Sequence, residues 1–269
     1  MKKKLIIFLL IILLLISITL VFNKYFVSHN IKVVEYGIKD KNLPDNFHGL
    51  KIVHYGDILY GKSTTTKDLK KMVSKINELK PDIVIFTGDF FTKDIKINDK
   101  ELNKIKSILS KIESKYQNYA VIGDNDKTFK DSFYRLFQNE YTILDNESTY
   151  LYINDDSAIR ITGINNPKKE EKFPDDDKLY NILILHKPDN IKEVKNKYNL
   201  TFAGHSMGGQ IKLPFMGPLI KPKGAKTYTS GYYELENTKL YVTDGIGTSN
   251  VDMRINNYPK INFYRLYNK

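Results

Sequence analysis

The chain contains no cysteine. Disulfides, zinc–thiolate sites and cysteine nucleophiles are thereby excluded, although the compartment is not fixed by that absence. Histidine is scarce, at five in 269 residues, and none follows His205. There is no internal repeat and no recognisable nucleic-acid module to accompany the net charge of +11, so nucleic acid is not an expected partner. The basic residues are scattered, as on a solvated surface. Lys212, Lys221, Lys223 and Lys226 lie close together after the glycine turn and are the best candidates for a patch that attracts anionic lipid or phosphorylated substrates.

One long apolar run is present. Lys2, Lys3 and Lys4 form a basic tail before an unbroken apolar or hydroxylic stretch from Leu5 to Phe22. As a helix, residues 5–22 span about 27 Å, enough to cross a hydrocarbon core. A cleaved signal has a shorter core and an A-x-A-like site. Here Asn23-Lys24-Tyr25-Phe26 follows instead, as an interfacial stop. The stretch therefore reads as an uncleaved anchor in the lipid bilayer of the cell membrane, single-pass. The lysine tail places the amino terminus inside and the domain on the extracytoplasmic side. Residues 23–45 read as a linker and leading segment, and 46–269 as one domain with a full core.

Within that domain, Leu50–Tyr55, Ile83–Phe86 and Tyr119–Ile122 are strand-like runs. Between them lie two amphipathic helices, one from Thr65 or Thr66 to about Lys80 and one from Asn98 or Asp99. Each strand ends in glycine and aspartate, at Asp57, Asp89 and Asp124. One Gly-Asp is an ordinary turn. Three in a β-α-β-α-β unit bring three carboxylates to one edge of a parallel sheet, where they repel unless a cation sits among them. The second half is strand-rich: Tyr150–Ile153, Ile159–Ile164, Ile182–Leu185, Tyr232–Val242 and Ile261–Leu266. Two histidines, His186 and His205, each follow an apolar run, as metal ligands at strand ends would. His54 lies three residues before Asp57 and points to the opposite face. The glycine-rich stretch Asp244–Ser249 lacks a following helix and reads as a loop packed under the site.

Leu200–Gln210 can be read in two ways. Gly204-His205-Ser206-Met207-Gly208 fits the G-x-S-x-G elbow of α/β-hydrolases, with Ser206 as nucleophile. That mechanism places its histidine after the serine, and the elbow opens a helix. No later histidine exists, and Gly208, Gly209, Pro214, Gly217 and Pro218 forbid a long helix. The other reading makes His205 a metal ligand.

Taken in order, Asp57, Gly88-Asp89, Gly123-Asp124-Asn125-Asp126, His186 and Gly204-His205-Ser206-Met207 resemble the calcineurin-like metallophosphoesterase motifs D-x-H, G-D, G-N-H-D, H and G-H-x-H. The resemblance covers about Leu50 to Leu266. It implies a four-layer α/β/β/α sandwich and a two-metal site that hydrolyses phosphate esters. The motifs depart at Leu59, Asp124, Asn125 and Met207. The first metal would be left with Asp57 and the bridging Asp89, because leucine does not ligate and a thioether suits hard cations poorly. The second would have Asp89, Asp124, His186 and His205. The resemblance thus implies one occupied site for Mn, Fe, Zn or Mg, with Asp57 and Asp124 able to recruit a second, oxygen-loving ion. Asn125 stands where the family has a catalytic histidine; it donates a hydrogen bond but releases no proton. The expectation is a weakened phosphoesterase acting on soluble or lipid-linked phosphates, against a catalytically dead, metal-binding scaffold protein.

Overall fold

The computed structural model describes residues 1–154, 157–168 and 178–269. Helix α1 (Lys2–Tyr25) is apolar along almost its whole length and stands clear of the domain, with only Asn23 buried. It is long and apolar enough to cross a membrane.

Strand β1 (Lys32–Lys39) comes next, in the segment read from sequence as a linker. Its lysines and glutamate mask the alternation. Its pairing is set by the far end of the chain, since it runs parallel to β14 (Lys260–Tyr267), from Lys32 opposite Lys260 to Lys39 opposite Tyr267. Then follow β2 (Lys51–Tyr55), α2 (Thr66–Glu78), β3 (Ile83–Phe86), α3 (Asp99–Leu109) and β4 (Asn118–Ala120), the expected β-α-β-α-β unit. Both helices begin at caps. Asp68 accepts from the Thr65 amide and hydroxyl, and the Asn98 side chain accepts from the Glu101 amide. Helix α4 (Lys130–Phe137) and β5 (Tyr141–Ile143), which the sequence pattern did not mark, complete a sheet ordered β1-β14-β2-β3-β4-β5.

A second six-stranded sheet holds β6 (Glu147–Tyr152), β7 (Ala158–Ile164), β8 (Tyr180–Leu185), β9 (Leu200–Ala203), β12 (Gly231–Glu234) and β13 (Lys239–Val242), in the order β12-β13-β9-β8-β7-β6. The run Tyr232–Val242, expected as one strand, is a hairpin: the Leu235 amide bonds the Thr238 carbonyl, and Tyr232 pairs with Tyr241. Between β9 and β12 lies a small antiparallel hairpin, β10 (Lys212–Leu213) and β11 (Gly217–Pro218).

The two sheets pack face to face. Ile52, Ile83 and Ile85 from the first meet Ile159, Ile161, Ile182, Ile184 and Phe202 from the second. Alternation sends Val53, Tyr55, Val84 and Phe86 to the opposite face, where α2, α3 and α4 cover them. The outer face of the second sheet packs Leu183, Leu185 and Val242 against Ile191 and Val194, in and beside the 3-10 turn Pro188–Glu193. Strands β2 to β5 run parallel, as do β7, β8, β9 and β13. The loops leaving β2, β3, β8, β9 and β13 converge: the Asp57 amide bonds Gly88, Gly204 bonds His186, and Ile246 and Gly247 bond Asp57. Ligand sites in parallel sheets form at such carboxyl ends.

Candidate metal centre

Strand β3 ends at Phe86, and after Thr87 the chain turns at Gly88 with φ +89°. A side chain there would strike the Gly123 backbone, and one at Gly123 would strike Asp89, so the two loops cross at a distance only glycine allows. Asp89 follows at φ +57°. Positive φ recurs at Asp57, Leu59, His205, Met207 and Gln210. Non-glycine residues held there carry strain, and such strain clusters at functional sites.

Asp89, His186 and His205 each offer a ligand atom, and these atoms all lie within 4.8 Å of one another. His186 Nε2 is 3.5 Å from Asp89 Oδ2 and 3.0 Å from His205 Nδ1. The outer nitrogens decide the tautomers. His186 Nδ1 lies 2.8 Å from the Thr87 carbonyl and His205 Nε2 lies 2.9 Å from the Lys223 carbonyl, and carbonyls only accept. Each outer nitrogen therefore carries a proton. In the neutral rings, both facing nitrogens present lone pairs to each other and to a carboxylate. Only a proton or a metal cation can occupy the space among them. The carbonyl-anchored imidazoles are also the arrangement that orients ligating histidines.

The electrostatics tell the same story in protons. Burial works against a charge on His186, but the carboxylates of Asp89 and Asp57 outweigh it and lift its pKa to about 9. Burial and the charge on His186 then hold His205 down at about 4. Asp89 stays below the usual carboxylate range: burial opposes this, and His186 prevails. The raised His186 and the lowered His205 mark a space among these groups that favours positive charge.

Asp57 sits beside this group. Its Oδ1 accepts the His205 amide at 2.9 Å, while its Oδ2 is buried with no hydrogen-bond partner among the described residues. Burial pushes Asp57 up to about 7, with Asp89 adding to the shift and His186 opposing it. An orphaned buried carboxylate oxygen beside two imidazoles and a second carboxylate is a donor awaiting a cation. The donor set fits a borderline divalent metal such as Zn, Mn or Fe.

Asp124, expected among the ligands, lies outside the group of three but near enough for its charge to act on His205 and for His186 to act on it. Its carboxylate pairs with Lys187 at 2.6 Å and Lys127 at 3.0 Å. These pairs hold its pKa well below the usual range, against the effect of burial. Asn125 lies against the centre instead. Its amide donates to Asp89 Oδ1 at 2.8 Å and its side chain to Asp89 Oδ2 at 3.3 Å. Leu59 is buried, with its amide bonded to the Asp89 carbonyl. Met207 opens the 3-10 turn Met207–Gly209. Ser206 is fully buried; its hydroxyl donates to the Thr243 carbonyl and accepts from Gly208, and among the described residues no histidine bonds it. The serine-nucleophile reading therefore lacks its base. His54 lies between the sheets against Thr87, Phe202 and Tyr264, and burial holds it neutral with a pKa of about 3. The loop Asp244–Ser249 does pack under the site, with Gly245 against Asp57.

Two supporting residues were not singled out from the sequence. Asp126 is fully buried and accepts from the amides of Asp89, Phe90, Phe91 and Gly123. It fixes the turn that presents Asp89, and its only sequence signal was the last letter of the G-N-H-D match. Arg254 is also fully buried. Its guanidinium donates to the carbonyls of Asp244, Gly247 and Met207, tying two site loops together.

The calcineurin-like phosphoesterase profile matches residues 50–215, more than half of the chain. The chain belongs to the calcineurin-like phosphoesterase family. This metallophosphoesterase is 31% identical over 255 residues to YkuE of Bacillus subtilis, with 91% of this chain and 88% of that protein aligned. It is 29% identical over 257 residues to the UDP-2,3-diacylglucosamine pyrophosphatase LpxG of Chlamydia trachomatis, covering 74% of this chain and 75% of LpxG. A transmembrane protein with a metallophosphoesterase domain from Danio rerio is 26% identical over 250 residues, covering 83% of this chain and 54% of that protein.

Proposed function

We propose that this metallophosphoesterase hydrolyses a phosphate ester with a single divalent cation held by Asp89, His186 and His205, with Asp57 Oδ2 alongside. The observation that carries this is the pair of imidazole nitrogens facing each other at 3.0 Å with their other nitrogens bonded to backbone carbonyls. A bound cation supplies Lewis acidity toward a phosphoryl oxygen and makes water a stronger acid.

The chain's own residues set the rest. Asn125 lies within 3.3 Å of Asp89 and steadies a departing or phosphoryl oxygen by hydrogen bonding, without releasing a proton. The leaving oxygen then takes its proton from solvent, at a rate about 10²- to 10⁴-fold below that given by a positioned acid. Lys187 follows His186 directly in the chain. Paired with Asp124, it can exchange that carboxylate for a substrate phosphate. Losing one metal subsite and the acid together leaves a slow enzyme. If metal binds and no ester is cleaved, the domain is a metal-holding scaffold.

We further place α1 across the cell membrane, with Lys2 to Lys4 inside and the domain on the extracytoplasmic side. LpxG is named for a UDP-linked, diacylated sugar. That name and the apolar helix favour a lipid-linked phosphate as substrate. The test is hydrolysis of an aryl phosphate and an aryl phosphodiester by the full chain in detergent, with metal content by elemental analysis. The expected result is about one metal per chain and turnover abolished by EDTA and by His205→Ala. Turnover indifferent to both would refute the reading.

A further inference from the structure

Among the described residues of the domain, Val33, Tyr150, Tyr152, Tyr232 and Val251 are exposed on other elements, but one hairpin exposes four large apolar side chains together. Phe215, Met216, Leu219 and Ile220, on and beside the β10–β11 hairpin, are all exposed. Phe215 is fully exposed, at 110%, and holds φ +63°. Turn tips that need positive φ ordinarily use glycine or asparagine. A phenylalanine there bears backbone strain while its ring meets only water. Exposed contiguous apolar surface of this kind marks a binding face.

The surroundings of the hairpin identify what covers it. Segment 251–255 is shared between the hairpin and the end of α1. On one side, Ser28 Oγ accepts the Arg254 amide at 2.7 Å, and Lys24 pairs with Asp252 at 3.6 Å. On the other, the Lys212 amide bonds the Ile255 carbonyl at 3.0 Å, and the Gln210 side chain bonds the carbonyls of Val251 and Met253. The exposed hairpin is thus rooted on the segment that seats the last turn of the apolar helix. Val251, within that segment, is exposed as well. Exposed Lys221 and Lys223 follow Ile220 in the chain, and lysines next to an apolar stretch suit anionic headgroups.

We infer that the β10–β11 hairpin is a second membrane contact, its tip at Phe215 and Met216 entering the interface of the same bilayer that α1 crosses. The inference rests on the anchoring proposed above. It also ties the chemistry to the surface. His205 Nε2 bonds the Lys223 carbonyl, and Met207 lines an apolar cleft together with Ile211, Ile220, Pro222 and Val251. A hairpin seated on the membrane brings the metal centre to headgroup level, so the phosphates presented to it are those of bilayer lipids.

The absence of cysteine makes the test direct. Single-cysteine variants of the full chain, Met216→Cys and Leu219→Cys in the hairpin, Leu14→Cys in α1 and Ser107→Cys on the exposed face of α3, are labelled with an environment-sensitive fluorophore. They are then reconstituted into vesicles of phosphatidylcholine and phosphatidylglycerol, with or without spin-labelled lipid. Labels at Met216 and Leu219 should be blue-shifted and quenched by the spin-labelled lipid, several-fold more than at Ser107. Hairpin labels that behave like Ser107 while Leu14 is quenched would overturn the inference and leave the anchor standing. A Leu14 label that escapes quenching would overturn the anchoring, and this inference with it.

Discussion

Replacing Asp126 by asparagine changes almost no volume and removes one acceptor. The side chain is fully buried, with Oδ2 accepting from Asp89 at 2.8 Å and Gly123 at 3.0 Å, and Oδ1 from Phe90 at 2.8 Å and Phe91 at 3.3 Å. An amide has a single oxygen. Whichever pair faces its NH2 group is left donor against donor, out of reach of water. Two orphaned buried amides cost about 2–6 kcal/mol together. Some of this is returned. Burial and the charge of Asp89 push Asp126 up to about 7, against the pull of its N–H donors, so the neutral amide sheds a desolvation cost. The net loss is about 2–4 kcal/mol, or about 4–16 °C in Tm for a domain of this size. The amides released belong to the turn that presents Asp89, so metal affinity should fall about 10- to 100-fold, as for other residues that orient ligands. Thermal unfolding of the full chain in detergent, followed by circular dichroism in EDTA, reads the first effect. Competition with a chromogenic chelator reads the second. A Tm within about 2 °C of the wild type with unchanged metal affinity would refute the reasoning.

Restoring histidine at Leu59, Asn125 and Met207 should raise phosphodiester turnover and metal content together, since these are the departed motif positions; unchanged turnover in a variant that binds a second metal would show the roles are misassigned. Asp57 has a folded pKa raised to about 7 by burial, so its contribution to stability is fully present below about pH 4 and is lost as pH rises toward 7. In EDTA, Asp57→Asn should therefore match the wild type near pH 4 and exceed it at pH 8, by about 4 kcal/mol at most, and saturating metal should erase that advantage; equal urea midpoints at pH 8 would sink the argument. Asn98→Ala removes the acceptor for the Glu101 amide and should cost about 1 kcal/mol in urea unfolding; no measurable loss would mean that the start of α3 is held by packing alone.

Much of this molecule was legible in its residues. Buried parallel strands require near-continuous apolar runs, so Ile83–Phe86 and Ile182–Leu185 announced themselves. An apolar run followed by glycine marked the strand ends at Asp57, Asp89 and His205, and an apolar run alone marked His186; of these, the fold brings Asp89, His186 and His205 within one ligand-sized group. Strand β1 was not legible. Its pattern is half polar, and what makes it a strand is β14, more than two hundred residues away. Arg254 was invisible for another reason: arginine is normally a surface residue, and only three converging carbonyls explain a buried one.

The sequence by itself determined the kinds of group available: two imidazoles, several strand-end carboxylates, and one apolar helix-length run. These follow from local periodicity and from side-chain chemistry, both of which are written residue by residue. Only the tertiary structure decided which groups meet. Lys187, next to His186 in the chain, pairs with Asp124. The carbonyls of Thr87 and Lys223 fix the tautomers of His186 and His205 so that their lone pairs face each other. Both outcomes depend on distances of a few ångströms between residues far apart in the chain, and electrostatic and hydrogen-bond energies change steeply over such distances.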